Sequence, residues 1–133
     1  MRPQMMFVGL IVLALLFASC SKDYSKYIKV QEQRVGDYSI TILSSSGEIN
    51  KGTGDLLLEF RKIPTAELVN VSNLNLSAVM QMAGNPMSGE LLASETGTPG
   101  RFVIKYNFGM TGTYNLKITF ENGLQAQFVL FIN

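Results

Sequence analysis

The sequence predicts an all-β chain, an antiparallel β-sandwich of about seven strands behind an apolar N-terminal leader. Three observations predict it. From Gly36 onward apolar residues recur at every second position, the period of strands with one buried face. Glycine-rich turns separate these runs at short intervals, as in sandwiches. No stretch beyond the leader shows convincing helical periodicity.

The leader comes first. Arg2 supplies a positive start, Met5 to Phe17 is an apolar run, and Ala18-Ser19 precede Cys20. These are the parts of a secretory signal peptide, and the run is too short for a mature spanning helix. Cys20 is the only cysteine of the chain, and its position resembles the bacterial lipoprotein box, with Phe17 where leucine is commoner. The resemblance implies cleavage before Cys20 and lipid on its sulfur and its new amino group. The alternatives are an ordinary secretory signal or a buried thiol, but a cysteine placed by chance rarely lands there. Each buried methylene contributes roughly 0.8 kcal/mol, so more than one acyl chain anchors a protein stably. Residues 1–19 are then signal peptide, 20–35 the lipidated cysteine and its tether, and 36–133 the folded domain. Residues 21–35 carry mixed charge, no glycine or proline and few large apolar side chains. A tether of that length reaches roughly 50 Å when extended. Its Lys22, Lys26 and Lys29 either touch anionic headgroups or are simply solvated.

The strands follow in order. Tyr38, Ile40 and Ile42 alternate with Ser39 and Thr41, then a turn-rich stretch runs from Ser44 to Gly54. Leu56, Leu58 and Phe60 share one face, with Glu59 and Arg61 on the other. Ile63 to Asn73, opened by Pro64, reads as a loop, a short helix or an edge strand. Leu74, Leu76, Ala78, Met80 and Met82 share a face opposite Asn75, Ser77 and Gln81. Phe102, Ile104, Tyr106 and Phe108 form the next apolar row, and Tyr114, Leu116, Ile118 and Phe120 the one after. Asn122-Gly123 signals a hairpin, and the residue types suit a type I′ turn. It returns the chain as Leu124, Ala126, Phe128, Leu130 and Ile132, with Phe120 and Leu124 close together.

Composition narrows the function. Cleavage after residue 19 of 133 leaves 114 residues, one domain with a single core. Arg2 leaves with the leader, so ten basic residues face ten acidic ones, which argues against a nucleic-acid partner. The chain has no histidine, which removes the usual general base and the commonest metal ligand. With Cys20 acylated there is neither a disulfide nor thiol chemistry, so no catalytic triad and no ordinary zinc site can be built. We therefore expect no enzyme.

The chemistry that remains is thioether chemistry. Met80, Met82, Met87 and Met110 all lie at strand ends or in Gly/Pro loops. Thioethers select copper(I), and the similar silver(I), over hard ions or zinc. They carry no proton at physiological pH, so such a site binds with little pH dependence. The competing reading is packing, since methionine fills irregular core gaps and Met80 and Met82 continue the face begun by Leu74 and Leu76. Other candidates are weaker. Glu90 and Glu95 form a carboxylate pair with no third partner, and Gly47 to Gly54 lacks the Gly-Lys-Ser/Thr ending of a phosphate loop. Gly112-Thr113-Tyr114 resembles the tyrosine corner of immunoglobulin-like sandwiches, which gives Gly112 and Tyr114 structural roles.

Three runs together resemble a known family. They are Thr53 to Phe60, Leu76 to Met82 with Met87, and Gly100 to Ile118. Over roughly residues 36–132 the chain is similar to the YtkA-like domain and, more distantly, to the FixH proteins. The matching positions are Met80, Met82, Met87, Gly100, Phe102, Met110, Gly112 and Tyr114, the last standing where tryptophan is commoner. The resemblance implies an immunoglobulin-like β-sandwich outside the cytoplasmic membrane. It also implies an association with heavy-metal efflux or with terminal-oxidase copper assembly. The expected function is then a lipid-anchored accessory that binds copper(I) or silver(I) through Met80, Met82, Met87 and Met110. The alternative is a protein-interaction module that uses the same methionines to dock an envelope partner. Ser21 after the cysteine gives no inner-membrane retention signal such as aspartate, so the expected location is the outer membrane facing the periplasm.

Overall fold

The computed structural model describes residues 23–82 and 84–133; the leader, Cys20 and Ala83 lie outside them. The described residues form nine strands and no helix: β1 (Ile28–Val35), β2 (Tyr38–Ser44), β3 (Gly52–Lys62), β4 (Glu67–Leu68), β5 (Asn75–Met80), β6 (Met87–Glu95), β7 (Arg101–Phe108), β8 (Gly112–Phe120) and β9 (Leu124–Ile132). All the strand pairings are antiparallel. The order is β1-β2-β3-β7-β6-β5-β8-β9, with two-residue β4 attached to β3. β6 belongs to both layers, pairing β5 through Met87–Gly89 and β7 through Glu90–Glu95. One layer is therefore β1-β2-β3-β7 with the second half of β6, and the other is β5-β8-β9 with its first half. The far edges approach as well. The Gln31 side chain donates to the Val129 carbonyl at 3.0 Å. Ile49 bridges Ile132 in parallel, and the Asn133 amide donates to the Ile49 carbonyl at 2.9 Å. The sandwich is thus nearly a closed barrel, which leaves little open sheet edge.

The period-two rows fold as their pattern dictates. Ile40, Ile42, Leu56, Leu58 and Phe60 of one layer meet Tyr114, Leu116, Ile118, Phe120 and Phe128 of the other, all buried. Phe60 joins the layers, its ring 5.9 Å from Phe102 and 5.0 Å from Phe120, with Tyr38 edge-on to Phe120 at 5.2 Å. Beneath the opposite end, Phe108 packs at a tilt between Tyr106 at 5.0 Å and Tyr114 at 4.7 Å. Such pairs contribute about 0.5–1.5 kcal/mol beyond their buried area.

Two expectations are corrected, and one left open is decided. The domain does not begin at residue 36, because Ile28–Val35 of the expected tether is strand β1, paired along β2. A bulge hides it from the sequence. The register slips between Lys29 and Gln31, so Val30 and Val35, five residues apart, both pack on the core. Of the readings open for residues 63–73, the structure takes the loop, with the short edge strand β4 inside it. The last hairpin pairs Phe120 with Leu124 as expected, but its loop is the three residues Glu121-Asn122-Gly123 rather than a two-residue type I′ turn. Glu121, not Asn122, takes positive φ, at 53°. Its carboxylate accepts from the Ser72 amide and hydroxyl, and its amide donates to the Ser72 carbonyl at 2.7 Å. Those bonds offset the backbone cost of a left-handed glutamate.

Candidate functional site

The methionines gather at one end of the sandwich. Met80 ends β5, Met87 starts β6, and the two are direct cross-strand partners. Opposite neighbours on one face lie about 5 Å apart at Cβ. Both side chains run to the loop between β7 and β8, which carries Met110. The Met80 methyl lies 2.7 Å from where a Cβ on Gly112 would stand, and the Met87 methyl 3.2 Å from that of Gly109. Gly109 and Gly112 flank Met110 and span at most about 10 Å. The fold thus brings Met80, Met87 and the Met110 loop together from three strand ends. Met82 lies two residues beyond β5.

Burial separates the four. Met80 is 7% exposed and belongs to the core, as the packing reading required. Met87 is half-buried against that core. Met82 and Met110 are 43% and 40% exposed. The result is a rim: a buried thioether as its floor, one at mid-depth and two in solvent. The donor set is sulfur alone. Among the described residues no three His, Cys, Asp or Glu side chains form a metal-binding group. Such a set suits a soft monovalent cation and not zinc, calcium or magnesium.

The loop is braced from below. Tyr114 is fully buried, and its hydroxyl donates to the Met110 carbonyl at 3.2 Å. Gly112 has φ 140°, and any side chain there would displace the Met80 methyl. Tyr114→Phe removes one hydrogen bond from a partly solvated carbonyl. The expected loss is about 0.5–1.5 kcal/mol in urea unfolding, with faster amide exchange in residues 109–112. An unchanged exchange pattern would show that the loop is held by other contacts.

The other sequence candidates disperse. Glu90 pairs with Asn107 and Glu95 with Phe102, an odd spacing that turns the two carboxylates to opposite faces. The 47–54 loop carries a fully buried Ile49 and ties to the C-terminus through Lys51 and Asn133, so it is a packed connection. A cluster that the sequence did not reveal lies on the outward face of the β1-β2-β3-β7 layer. Glu59 is 6% exposed there, and accepts from Arg101 Nε at 2.7 Å and from Arg61 at 3.2 Å. Arg61 also donates to the Ala66 carbonyl at 3.0 Å. Glu59 and Arg61 share a face in the sequence, but Arg101 joins only through the β3–β7 register. A shallow outward groove over β3, β7 and β6, lined by Thr53, Asp55, Glu90, Leu92, Lys105 and Asn107, gathers no catalytic constellation.

The sequence profile of the YtkA-like family matches residues 32–119, two thirds of the chain and every strand from β2 to β8. The chain belongs to the YtkA-like family. The match takes in all four rim methionines and the Gly112–Tyr114 brace. Among solved structures, the filamin domain of Lin-41 aligns with a TM-score of 0.53 and 14% identity, covering 77% of this chain and 98% of that one. A DUF4426 family protein from Pseudomonas aeruginosa aligns at 0.47 and 14%, covering 81% and 94%. The filamin likeness is one of fold alone, and supports an immunoglobulin-like sandwich for this YtkA-like domain. No curated protein matches the chain.

Proposed function

We propose that this YtkA-like domain is a non-enzymatic accessory of the cell envelope, lipid-anchored through Cys20, whose methionine rim takes copper(I) or silver(I). The observation that carries the reading is the convergence of Met87 and Met80 on the loop of Met110, with Met82 and Met110 open to solvent. Met82, Met87 and Met110 supply the accessible sulfurs. Met80 closes the site from beneath, where its thioether can approach only after the rim relaxes. With no histidine in the chain, uptake and release need no proton transfer by imidazole. A metal held by a few solvent-facing thioethers passes readily to a partner, which suits an efflux or copper-insertion system. We place the protein at the outer membrane, facing the periplasm.

The test is an anaerobic copper(I) titration of residues 21–133, which retain every described strand, against a chromophoric chelator. The expected result is one-to-one binding that is nearly independent of pH. Replacing Met82, Met87 and Met110 together by leucine keeps the fold and lowers affinity at least about tenfold, or about 1.4 kcal/mol. A folded domain that takes no copper(I) would return the rim to the second reading, an apolar docking surface, because two exposed methionines flank it.

A further inference from the structure

The segment before β1 is not a free tether. Asp23 accepts the Ser25 amide at 2.9 Å, and that backbone bond holds its carboxyl below the usual range. The Tyr27 amide donates to the Tyr24 carbonyl at 3.1 Å, closing a turn. The two tyrosine rings meet edge to face at 5.3 Å. Tyr24 also lies under the guanidinium of Arg101, 5.9 Å from its ring centre. Arg101 is fixed by the buried Glu59 carboxylate. This places the segment on the sheet. β1 is the edge strand, while Arg101 is on β7, with β2 and β3 between. At about 4.8 Å per strand, β7 lies about 14 Å inward from β1. Tyr24 therefore reaches across the outward face of that layer and does not trail off its edge. Leu57, an outward residue of β3 on the way, is 1% exposed, which a bare sheet face would not give.

Cys20 is four residues before Tyr24. Four residues span at most about 14 Å. The expected 50 Å spacer is thus cut to about 14 Å, and its point of attachment lies over one face. We infer that the outward face of the β1-β2-β3-β7 layer is the surface turned to the bilayer, against phosphate-bearing lipid headgroups. The inference rests on the lipidation of Cys20 stated above. The opposite layer is kept away, because from over β7 the strap would have to cross β6, about 4.8 Å, and then the about 10 Å between the layers, which its about 14 Å does not cover. Charge agrees with the assignment. Lys22, Lys26 and Lys29 all fall within nine residues of Cys20 in the sequence, against the single carboxylate of Asp23. Basic residues this close to a surface each add about 1 kcal/mol of attraction to anionic lipid. The outward face of β9, with Val129 and Phe131 at 44% and 66% exposed, is then turned away from the lipid and toward soluble partners.

The test uses the native lipoprotein, reconstituted in vesicles of equal phosphatidylglycerol and phosphatidylethanolamine that carry a headgroup-linked nitroxide quencher. Single fluorescent labels are placed at Ser94→Cys and Asn107→Cys on the strap-side layer, and at Thr113→Cys and Gln127→Cys on the other. The expected result is several-fold stronger quenching at 94 and 107. Tyr24→Ala should release the strap and shrink that difference while the protein stays vesicle-bound. Equal or reversed quenching in vesicle-bound protein overturns the orientation and leaves lipidation standing. If Cys20→Ser still cofractionates with membranes, lipidation is not the anchor, and the orientation falls with it.

Discussion

Gly100→Ala is expected to remove about 3–5 kcal/mol, a large part of what a domain of this size possesses. Gly100 stands at the head of β7 with φ 79°. A Cβ there would lie 2.4 Å from the Val69 carbonyl oxygen, 2.8 Å from the Val69 nitrogen and 2.9 Å from the Phe60 carbonyl oxygen. All three are backbone atoms, so no side chain can turn aside. Two hydrogen bonds must give instead, from the Phe60 amide to the Gly100 carbonyl at 2.8 Å and from the Val69 amide to the Phe60 carbonyl at 3.0 Å. Gly97→Ala is the control. Its φ is 89° but nothing lies within 4 Å, so only the conformational cost of about 1 kcal/mol is expected. Urea unfolding of both variants decides the matter. Equal losses at the two positions would mean that the Val69 segment moves aside freely.

Phe60→Ala is expected to cost about 3–5 kcal/mol, the range for a large aromatic lost from a core that cannot collapse. Phe60 is fully buried. Its ring touches Phe102 in its own layer and Phe120 in the other, so truncation opens a hole between the layers. Phe120→Ala should be costly for the same reason. The double variant should lose less than the sum of the two, since both vacate one space. Strict additivity in thermal or urea unfolding would show that the two rings do not share a contact. The rim variants act in the opposite sense. Leucine at 82, 87 and 110 is nearly neutral to stability because its volume matches methionine, so a change in metal affinity there is not a change in folding.

Much of the fold was legible, for a simple reason. A strand with one wet face carries an apolar residue at every second position, and the rows at 38–42, 56–60, 102–108, 114–120 and 124–132 each keep that period, even where Leu57, Val103, Val129 and Phe131 add apolar residues between. Each became a strand with its apolar row inward. β1 escaped because its bulge shifts the alternation at Val30. The hairpin loop was off by one residue because Glu121 is held left-handed by Ser72, a partner distant in sequence. The methionines were visible as a group, but their depths were not. Met80 and Met82 have the same parity, yet β5 ends between them, so one completes the core and the other meets solvent.

The sequence by itself determined which faces are apolar, that histidine and thiol chemistry are absent from the domain, and that its family is YtkA-like. Only the tertiary structure decided which rows are neighbours. Period two assigns a residue to a face but says nothing of what lies across from it. The meeting of Met80 with Met87 and the Met110 loop, the Glu59–Arg101 pair, and the fold of Tyr24 over the sheet all join residues from separate strands or segments. Their partners were set by register and layer packing, free energies that belong to the whole sandwich and not to any local stretch of chain.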